Sequence, residues 1–165
     1  MPLTKVVTDE SGTEIAWSLS TSADHVWELL TGPESVSLWL GAVVEGEIAP
    51  HASFTVDHGE GTLCRSKVLT YAEPRVLRYS WEFPDEPPSE VEFKLESSGA
   101  GTALTVSHSL PSDLVDSYHN GWPVHLTFLE AAALGEPLPP SMFWKLHATM
   151  SRLSSTRDSE PSHRG

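Results

Sequence analysis

Two histidines, His108 and His125, occupy positions from which their side chains could do chemistry inside the protein. His108 follows Leu104 and Val106 with alternating spacing, which predicts that these three side chains share one face of a strand. His125 falls on the apolar stripe of a helical pattern. Histidine changes charge near neutral pH and can act as an acid, a base or a hydrogen-bond partner. We expect two separately hydrogen-bonded neutral rings, with a coupled pair as the alternative.

The other histidines and the single cysteine do not form a metal-binding or nucleophilic pattern. His51 and His58 lie near a turn, where the sequence places no third ligand, and we predict that both are solvated loop residues. His119 and His125 are separated by about 240° around a regular helix. Cys64 has no neighbouring base in the sequence, so we expect a buried, inert thiol. We predict no metal site, no cofactor and no catalytic residues.

Six aromatic residues are the strongest functional signal in the sequence. Large rings fill the interior of a curved sheet well, so core packing alone can explain them. The alternative is that some of the rings line a ligand cavity, in which a histidine or tyrosine orients a polar group of the ligand. Both interpretations stay open for Trp39, Tyr79, Trp81, Phe93, Tyr118 and Trp122.

Alternating segments predict the sheet that would position these residues. Residues 14–20 place Ile15, Trp17 and Leu19 on one face, which is typical of a strand with one buried side. Short breaker segments rich in glycine and proline separate the strand candidates that follow, and this favours an antiparallel meander. The further strands are predicted at residues 42–48, 53–57, 62–71, 76–83, 90–96 and 102–110.

Helical patterns flank this meander. A short amphipathic helix is predicted after the first strand, ending near Gly32, and a second short helix over residues 34–40. A long apolar stripe over residues 114–133 predicts the main helix, with a break near Pro123 because proline removes a helix hydrogen bond. A further helical pattern covers residues 141–153. We predict a flexible lead-in at 1–12, one α+β domain at 13–153 and a flexible tail at 154–165.

Charge and composition exclude several classes of function. The formal net charge is −13, from 23 acidic and 10 basic residues. Nucleic acids and anionic lipid surfaces require clustered cations, so neither is an expected partner. The longest apolar run, counting Gly41, has seven residues, from Leu38 to Val44, whereas a membrane span needs roughly 20. The N-terminus shows no secretory signal, so we expect a cytoplasmic protein. A monomer and a homodimer are both compatible with the sequence.

Four motifs in order carry a resemblance to a known family. They are SADHVWELLT at 22–31 followed by LWLG at 38–41, EPRVLRYSW at 73–81, GTALTVSH at 101–108 and GWPVHL at 121–126. In these motifs the chain resembles the homologues of the heat-shock protein 90 ATPase activator, of the single-domain bacterial type. That family belongs to the SRPBCC superfamily of START-related and birch-pollen-allergen-related domains. The resemblance covers residues 14–153.

The resemblance implies a helix-grip fold. In this fold a curved antiparallel sheet of about six or seven strands packs on a long C-terminal helix, with two short helices after the first strand. It also implies binding of a hydrophobic or aromatic small molecule between sheet and helix. Because the sequence shows no recognisable catalytic constellation, we expect this binding to be non-catalytic. The alternatives are an enzyme of the polyketide cyclase or hydrolase type that uses cavity tyrosine and histidine, and a module that interacts with a chaperone or regulator. The sequence lacks the Asn-rich Trp-His-Trp segment of the chaperone-stimulating domain, which weakens that last alternative.

Alternation, the helical stripe and the resemblance together predict one cavity. The dry face of the sheet supplies one wall, and the stripe of the long helix supplies the other. The resemblance places the segment that contains Trp39 at the mouth of the cavity. The predicted cavity residues are Trp39, Tyr79, Trp81, His108, Tyr118, Trp122 and His125.

Overall fold

An eight-stranded antiparallel sheet carries the fold in the computed structural model, which describes residues 2–159 and the side chains of residues 2–153. The strand order across the sheet is β1-β2-β8-β7-β6-β5-β4-β3. The seven predicted strands are confirmed, and β1 precedes them. The strands are β1 (Leu3–Asp9), β2 (Gly12–Leu19), β3 (Ala42–Gly46), β4 (Ser53–Asp57), β5 (Leu63–Ala72), β6 (Val76–Trp81), β7 (Ser89–Ser98) and β8 (Gly101–Ser109).

Strand β1 lies in the segment for which the sequence predicts a flexible lead-in. It pairs with β2 from Asp9, opposite Gly12, to Leu3, opposite Trp17. Its side chains are exposed except that of Val6, which is partly buried. Because β1 has no dry face, its sequence shows no apolar alternation from which a strand could be predicted. Backbone pairing with β2 holds this edge strand in place.

The dry face of the sheet is built from three central strands in register. Leu77 of β6 lies opposite Phe93 of β7, and Phe93 lies opposite Val106 of β8. The neighbouring row joins Tyr79, Val91 and His108 in the same way. Apart from His108 these positions are hydrophobic, and all are buried. The predicted alternation of β6, β7 and β8 is therefore confirmed, and it creates one continuous surface on which a helix can pack.

Two short helices follow β2, as predicted. Helix α1 (Ala23–Thr31) begins after Ser22, whose Oγ accepts a hydrogen bond from the His25 backbone N–H at 3.3 Å. Its apolar face, including Val26 and Leu30, is buried against the core. Helix α2 (Pro33–Val36) begins at a proline, which suits the first turn, and ends four residues before the predicted boundary at residue 40.

The long helix α3 (Val115–Ala133) crosses the dry face without interruption. The predicted break at Pro123 is wrong. Its neighbours Trp122 and Val124 are both buried, and packing supplies most of the stability of helices in proteins. That packing outweighs the one backbone hydrogen bond that proline removes. The Pro123 carbonyl also accepts a hydrogen bond from Thr127 Oγ1 at 2.7 Å.

A last helix, α4 (Phe143–Ser159), packs on α3 after a 3-10 turn over Pro140–Met142. The sequence predicts a helical pattern here and a flexible tail over 154–165. The structure continues the helix to Ser159, and the rest of that predicted tail, 160–165, lies outside the described residues. Among the helices of residues 2–159, none has both the length and the apolarity needed to cross a bilayer.

Phe93 provides a test of this packing, because its ring is fully buried between the sheet and α3. Its centroid lies 5.6 Å from that of Tyr79 and 5.8 Å from that of Trp122. We expect Phe93→Ala to lower the free energy of unfolding by about 3–5 kcal/mol in urea denaturation. The matched control is Leu69→Ala on the half-exposed face of β5, with an expected change within about 0.5 kcal/mol. A loss below about 1 kcal/mol for Phe93→Ala would contradict the packed interface.

Candidate ligand-binding site

Two cavities lie beside the start of α4 and share His58, Phe143 and Trp144 as walls. The inner cavity has a volume of about 190 Å³, and the outer groove has a volume of about 690 Å³. A cavity of about 150 Å³ accommodates benzene, and pockets of roughly 300–1,000 Å³ hold larger ligands. Other walls of the inner cavity include Trp81, Phe83, Glu86, Tyr118, Trp122, His125 and His147, and those of the outer groove include Leu38, Trp39, Leu40, Phe128 and Pro140.

The seven predicted cavity residues lie together in one aromatic cluster, but they do not enclose a single cavity. Four of them border the inner cavity and Trp39 borders the outer groove. Tyr79 and His108 border neither, because they lie in the central row of the sheet, where neighbouring rings enclose them. Tyr79 packs between Phe54 and Phe93, with centroid distances of 5.0 and 5.6 Å. The four on the inner wall are Trp81, Tyr118, Trp122 and His125.

A chain of hydrogen bonds through His108 joins α3 to the sheet. Trp122 Nε1 donates to His108 Nδ1 at 3.0 Å, and His108 Nε2 lies 2.8 Å from Ser89 Oγ. Because Nδ1 accepts, the proton of a neutral ring must be on Nε2, which donates to Ser89. Burial lowers the pKa of His108 to about 3, so the ring is neutral. His108 is thus a structural link between helix and sheet.

Tyr118 and Glu86 form a second polar group on the inner wall. The Tyr118 hydroxyl donates to Glu86 Oε1 at 2.6 Å and accepts from Trp81 Nε1 at 2.8 Å. Burial, and next the hydrogen bond to Glu86, raise the pKa of Tyr118 well above its ordinary value. The hydroxyl therefore keeps its proton and stays hydrogen-bonded to the Glu86 carboxylate. These bonds fix the indole of Trp81 and the phenol of Tyr118 as one surface.

His125 places a neutral imidazole on the same wall. Its Nδ1 lies 2.9 Å from the carbonyl oxygen of Trp39. Since a carbonyl can only accept, Nδ1 carries the proton, and in the neutral ring Nε2 carries the lone pair. Burial, followed by the neighbouring His58, lowers the pKa of His125 to about 3. The neutral ring can therefore accept a hydrogen bond at Nε2.

The prediction that His58 is a solvated loop residue is wrong. A tight turn returns the chain from β4 to β5, with the His58 backbone N–H donating to the Thr62 carbonyl at 2.9 Å. This turn directs the ring into the protein, 5.3 Å from Trp81 and 5.9 Å from His125 between centroids. Its Nε2 is buried without a hydrogen-bond partner among the described residues, an arrangement that typically costs about 1–3 kcal/mol. Burial lowers the pKa of His58 to about 4, against the opposing charge of Asp57.

Sequence reasoning also missed the contribution of α4. Phe143 lies 4.4 Å from His125 between ring centroids, and Trp144 donates from Nε1 to the His58 carbonyl at 3.2 Å. His147, one turn further along α4, is a third histidine on the inner wall. The sequence pattern predicts a helix here, but periodicity alone does not tell where a terminal helix docks. Only the contact with α3 makes these residues part of the site.

The arrangement suits binding through rings and uncharged polar groups. Burial raises the pKa of Cys64 to about 12, so this thiol stays protonated and is not a nucleophile. Within the described residues, no three His, Cys, Asp or Glu side chains are placed to hold one metal ion. What the site offers is a set of apolar ring faces, the neutral rings of His58 and His125, and the bonded pair of Tyr118 and Glu86.

Comparison with known proteins identifies a family. A family model described as Activator of Hsp90 ATPase homolog 1-like protein matches residues 20–133. This range begins just before α1 and ends with α3, so it includes both short helices, the strands β3 to β8 and the long helix. Helix α4 lies outside the match. No curated protein matches the chain.

Solved structures share the fold. CalU16 from Micromonospora echinospora is 23% identical, with 87% of this chain and 85% of that chain covered and a TM-score of 0.70. The protein encoded by BPP1335 from Bordetella parapertussis is 22% identical, with coverages of 95% and 90% and a TM-score of 0.70. DynU16, a protein in the dynemicin biosynthetic locus, is 27% identical over 79% of this chain, with a TM-score of 0.70. This chain spans about half of DynU16, at 49%.

The buried neutral histidines predict a loss of stability in mild acid. A histidine in the unfolded chain has a pKa near 6.5, whereas His108 and His125 have pKa values of about 3 in the folded protein. As the pH falls below 6.5, the unfolded chain takes up protons that the folded protein excludes, and stability is lost. We expect each of the two to lower the free energy of unfolding by about 2 kcal/mol between pH 7 and pH 5.

Urea denaturation at the two pH values measures this effect. His108→Asn should reduce the pH dependence by about 2 kcal/mol, because asparagine does not titrate in this range. The control is His51→Asn, which makes the same substitution at an exposed position. A wild-type stability that is the same at pH 7 and pH 5 would contradict the assignment of neutral buried rings.

Proposed function

Because the chain belongs to the family of Activator of Hsp90 ATPase homolog 1-like proteins, whose fold commonly binds hydrophobic ligands, we propose that it binds a hydrophobic or aromatic small molecule under α4 without catalysis. The observation that carries the proposal is the open space of about 190 Å³ within an aromatic cluster that is otherwise packed. Rings such as Trp81 and Trp122 are almost wholly buried there, yet they border this space. This cavity shares the wall residues His58, Phe143 and Trp144 with a larger apolar groove.

Burial of apolar surface would drive this binding. Each Å² of apolar surface removed from water contributes about 25 cal/mol, before the costs of association. The indole of Trp81 is already oriented by its bond to Tyr118, so a ligand would not have to order it. The similar protein DynU16 belongs to the dynemicin biosynthetic locus, and this supports a small-molecule ligand over a macromolecular one.

Filling the inner cavity tests the proposal. Gly121 on α3 lines the cavity, and a Cβ there would meet only His147, at 3.6 Å, which is an ordinary contact. Gly121→Leu should therefore occupy the space and remove the saturable increase in Nile red fluorescence that we expect for the wild type. Gly121→Ala is the matched control: it should keep binding and raise stability by about 1 kcal/mol through helix propensity.

Two results would contradict the binding proposal. One is a wild-type protein that gives no saturable signal with Nile red or with a panel of lipids and polycyclic aromatics. The other is a Gly121→Leu variant that is folded, by circular dichroism, and binds the dye as tightly as Gly121→Ala does.

A second candidate is an enzyme of the cyclase or hydrolase type, as the sequence analysis allows. The observation in its favour is the lone pair on His125 Nε2, which could act as a general base beside the hydroxyl of Tyr118. Against it, Tyr118 is bonded to Glu86 and holds its proton firmly, so it is a weak acid. The non-catalytic proposal needs no such proton transfer.

Hydrolysis of 4-nitrophenyl acetate separates the two candidates. For a binding protein we expect the wild type to release 4-nitrophenol no faster than His125→Phe does. A wild-type rate about 100-fold above that of His125→Phe, the lower range for a general base, would favour the enzyme. Tyr118→Phe then tests the second proposed group, because it retains the ring and removes the hydroxyl.

A further inference from the structure

The polar groups on the wall of the inner cavity indicate which part of a ligand lies there. We propose that the ligand enters the inner cavity with an uncharged aromatic hydroxyl group, a phenol, which donates a hydrogen bond to His125 Nε2, and that its apolar remainder lies in the outer groove. This inference rests on the proposed function and specifies its ligand class. It predicts weaker binding of a head group that can only accept hydrogen bonds, because such a group leaves the His125 lone pair unpaired, and of one that carries negative charge.

His125 determines the direction of the hydrogen bond. The carbonyl of Trp39 fixes the proton on Nδ1, which leaves Nε2 of the neutral ring as an acceptor. A ligand carbonyl or ether placed against this lone pair would meet a second acceptor and form no hydrogen bond. A hydroxyl group meets it with a donor. The tautomer of His125 thus distinguishes donors from acceptors.

His58 supplies the complementary group. Its Nε2 is buried and has no partner among the described residues, and its ring lies 5.9 Å from that of His125 between centroids. Once its ring turns Nε2 toward the cavity, His58 in the tautomer with a proton on Nε2 would donate to the oxygen of the same hydroxyl, which has two lone pairs. A hydroxyl group can therefore satisfy both rings, since it donates to one and accepts from the other. That pairing would relieve the unsatisfied nitrogen of His58.

Two other polar groups on the wall, those of Tyr118 and Trp144, do not compete for this role. The Tyr118 hydroxyl already donates to Glu86 and accepts from Trp81 Nε1. A ligand would have to break one of these bonds to use it. The Trp144 indole N–H is likewise engaged, by the His58 carbonyl. The imidazole rings of His58 and His125 can instead meet a ligand without the loss of such a bond.

Charge excludes an anionic head group. Asp85 and Glu86 line the inner cavity, and Asp57 and Glu60 line the outer groove. In the described part of the chain, neither cavity has a lysine or arginine on its wall. A carboxylate or phosphate would face these acidic side chains without a balancing cation, in a partly dry space where such repulsion is strong. A neutral hydroxyl avoids that cost.

The two volumes assign the ligand's parts. The inner space of about 190 Å³ is close to the cavity of about 150 Å³ that takes up one benzene ring. It therefore accommodates a single phenolic ring beside Trp81 and Trp122, which both border the space. The outer groove, at about 690 Å³, accommodates a larger apolar body. Phe143 and Trp144 border both spaces, so one elongated ligand would contact them along its length.

Three biphenyl probes of nearly equal size test the inference by isothermal titration calorimetry. 4-Phenylphenol can donate, 4-methoxybiphenyl can only accept, and biphenyl-4-carboxylate carries negative charge. We expect 4-phenylphenol to bind about tenfold more tightly than the methoxy compound, as one net hydrogen bond contributes. The carboxylate should bind most weakly of the three.

Variants assign the acceptor. His125→Phe should remove the preference for 4-phenylphenol over 4-methoxybiphenyl, and His58→Phe should reduce it. His147→Phe is the matched control, because it makes the same change on another wall of the inner cavity and should leave the preference intact. If either variant does not fold, imidazole ¹⁵N chemical shifts of the wild type identify the acceptor instead. On addition of 4-phenylphenol, the His125 Nε2 signal should shift in the direction expected for a nitrogen that accepts a hydrogen bond.

Each result bears on a different claim. Equal binding of 4-phenylphenol and 4-methoxybiphenyl overturns the phenol inference and leaves the binding function standing. Tightest binding of the carboxylate, or a preference that disappears with His147→Phe and persists with His125→Phe, overturns it as well. An unmoved His125 Nε2 signal in the saturated complex does the same. Failure of all three probes to bind, together with failure of Nile red, removes the proposed function itself.

Discussion

The hydrogen bond from Trp122 Nε1 to His108 Nδ1 fixes the long helix on the sheet, and the inner cavity depends on it. His108 continues the bond to Ser89, whose hydroxyl lies 3.4 Å from the Trp81 carbonyl. The indole of Trp81 in turn donates to Tyr118, one turn before Trp122 on α3. The helix is thus tied to β8 and β6 at adjacent turns of the same face. In a dry interior such bonds tolerate little displacement, because an unmade bond leaves a buried polar group unsatisfied.

The opposite wall is held differently. Phe143 contacts His125 and Phe128 through ring faces and edges, at 4.4 and 5.6 Å between centroids. The bond from the Trp144 indole to the His58 carbonyl is longer than those on the α3 side, at 3.2 Å. Ring contacts are less directional than hydrogen bonds, so this wall can adjust to a ligand at lower cost. The site therefore combines a fixed wall from α3 and the sheet with an adaptable one from α4.

The sequence was sufficient to predict an element and its inward side chains where one face of that element is buried. Alternation in β6, β7 and β8 predicted which side chains face α3, and the helical stripe predicted which face of α3 meets them. Strand β1 escaped prediction because it is held by backbone pairs and has no buried face. His58 escaped because the direction of its ring depends on the turn between β4 and β5, not on periodicity. The unbroken course of α3 through Pro123 reflects tertiary packing, which a local rule about proline does not include.

The choice of histidine for the polar positions follows from the dryness of the interior. With a net charge of −13, the protein could have placed a lysine or arginine in its interior to meet acidic groups. A buried cation, however, needs a partner to compensate its lost hydration, and such a pair would fill the space that a ligand needs. A neutral imidazole forms directional hydrogen bonds without that requirement, and burial itself keeps the ring neutral. The dry walls and the neutral histidines therefore depend on each other. The apolar rings keep the imidazoles uncharged, and because the imidazoles are uncharged, no charged partner has to fill the space between the rings.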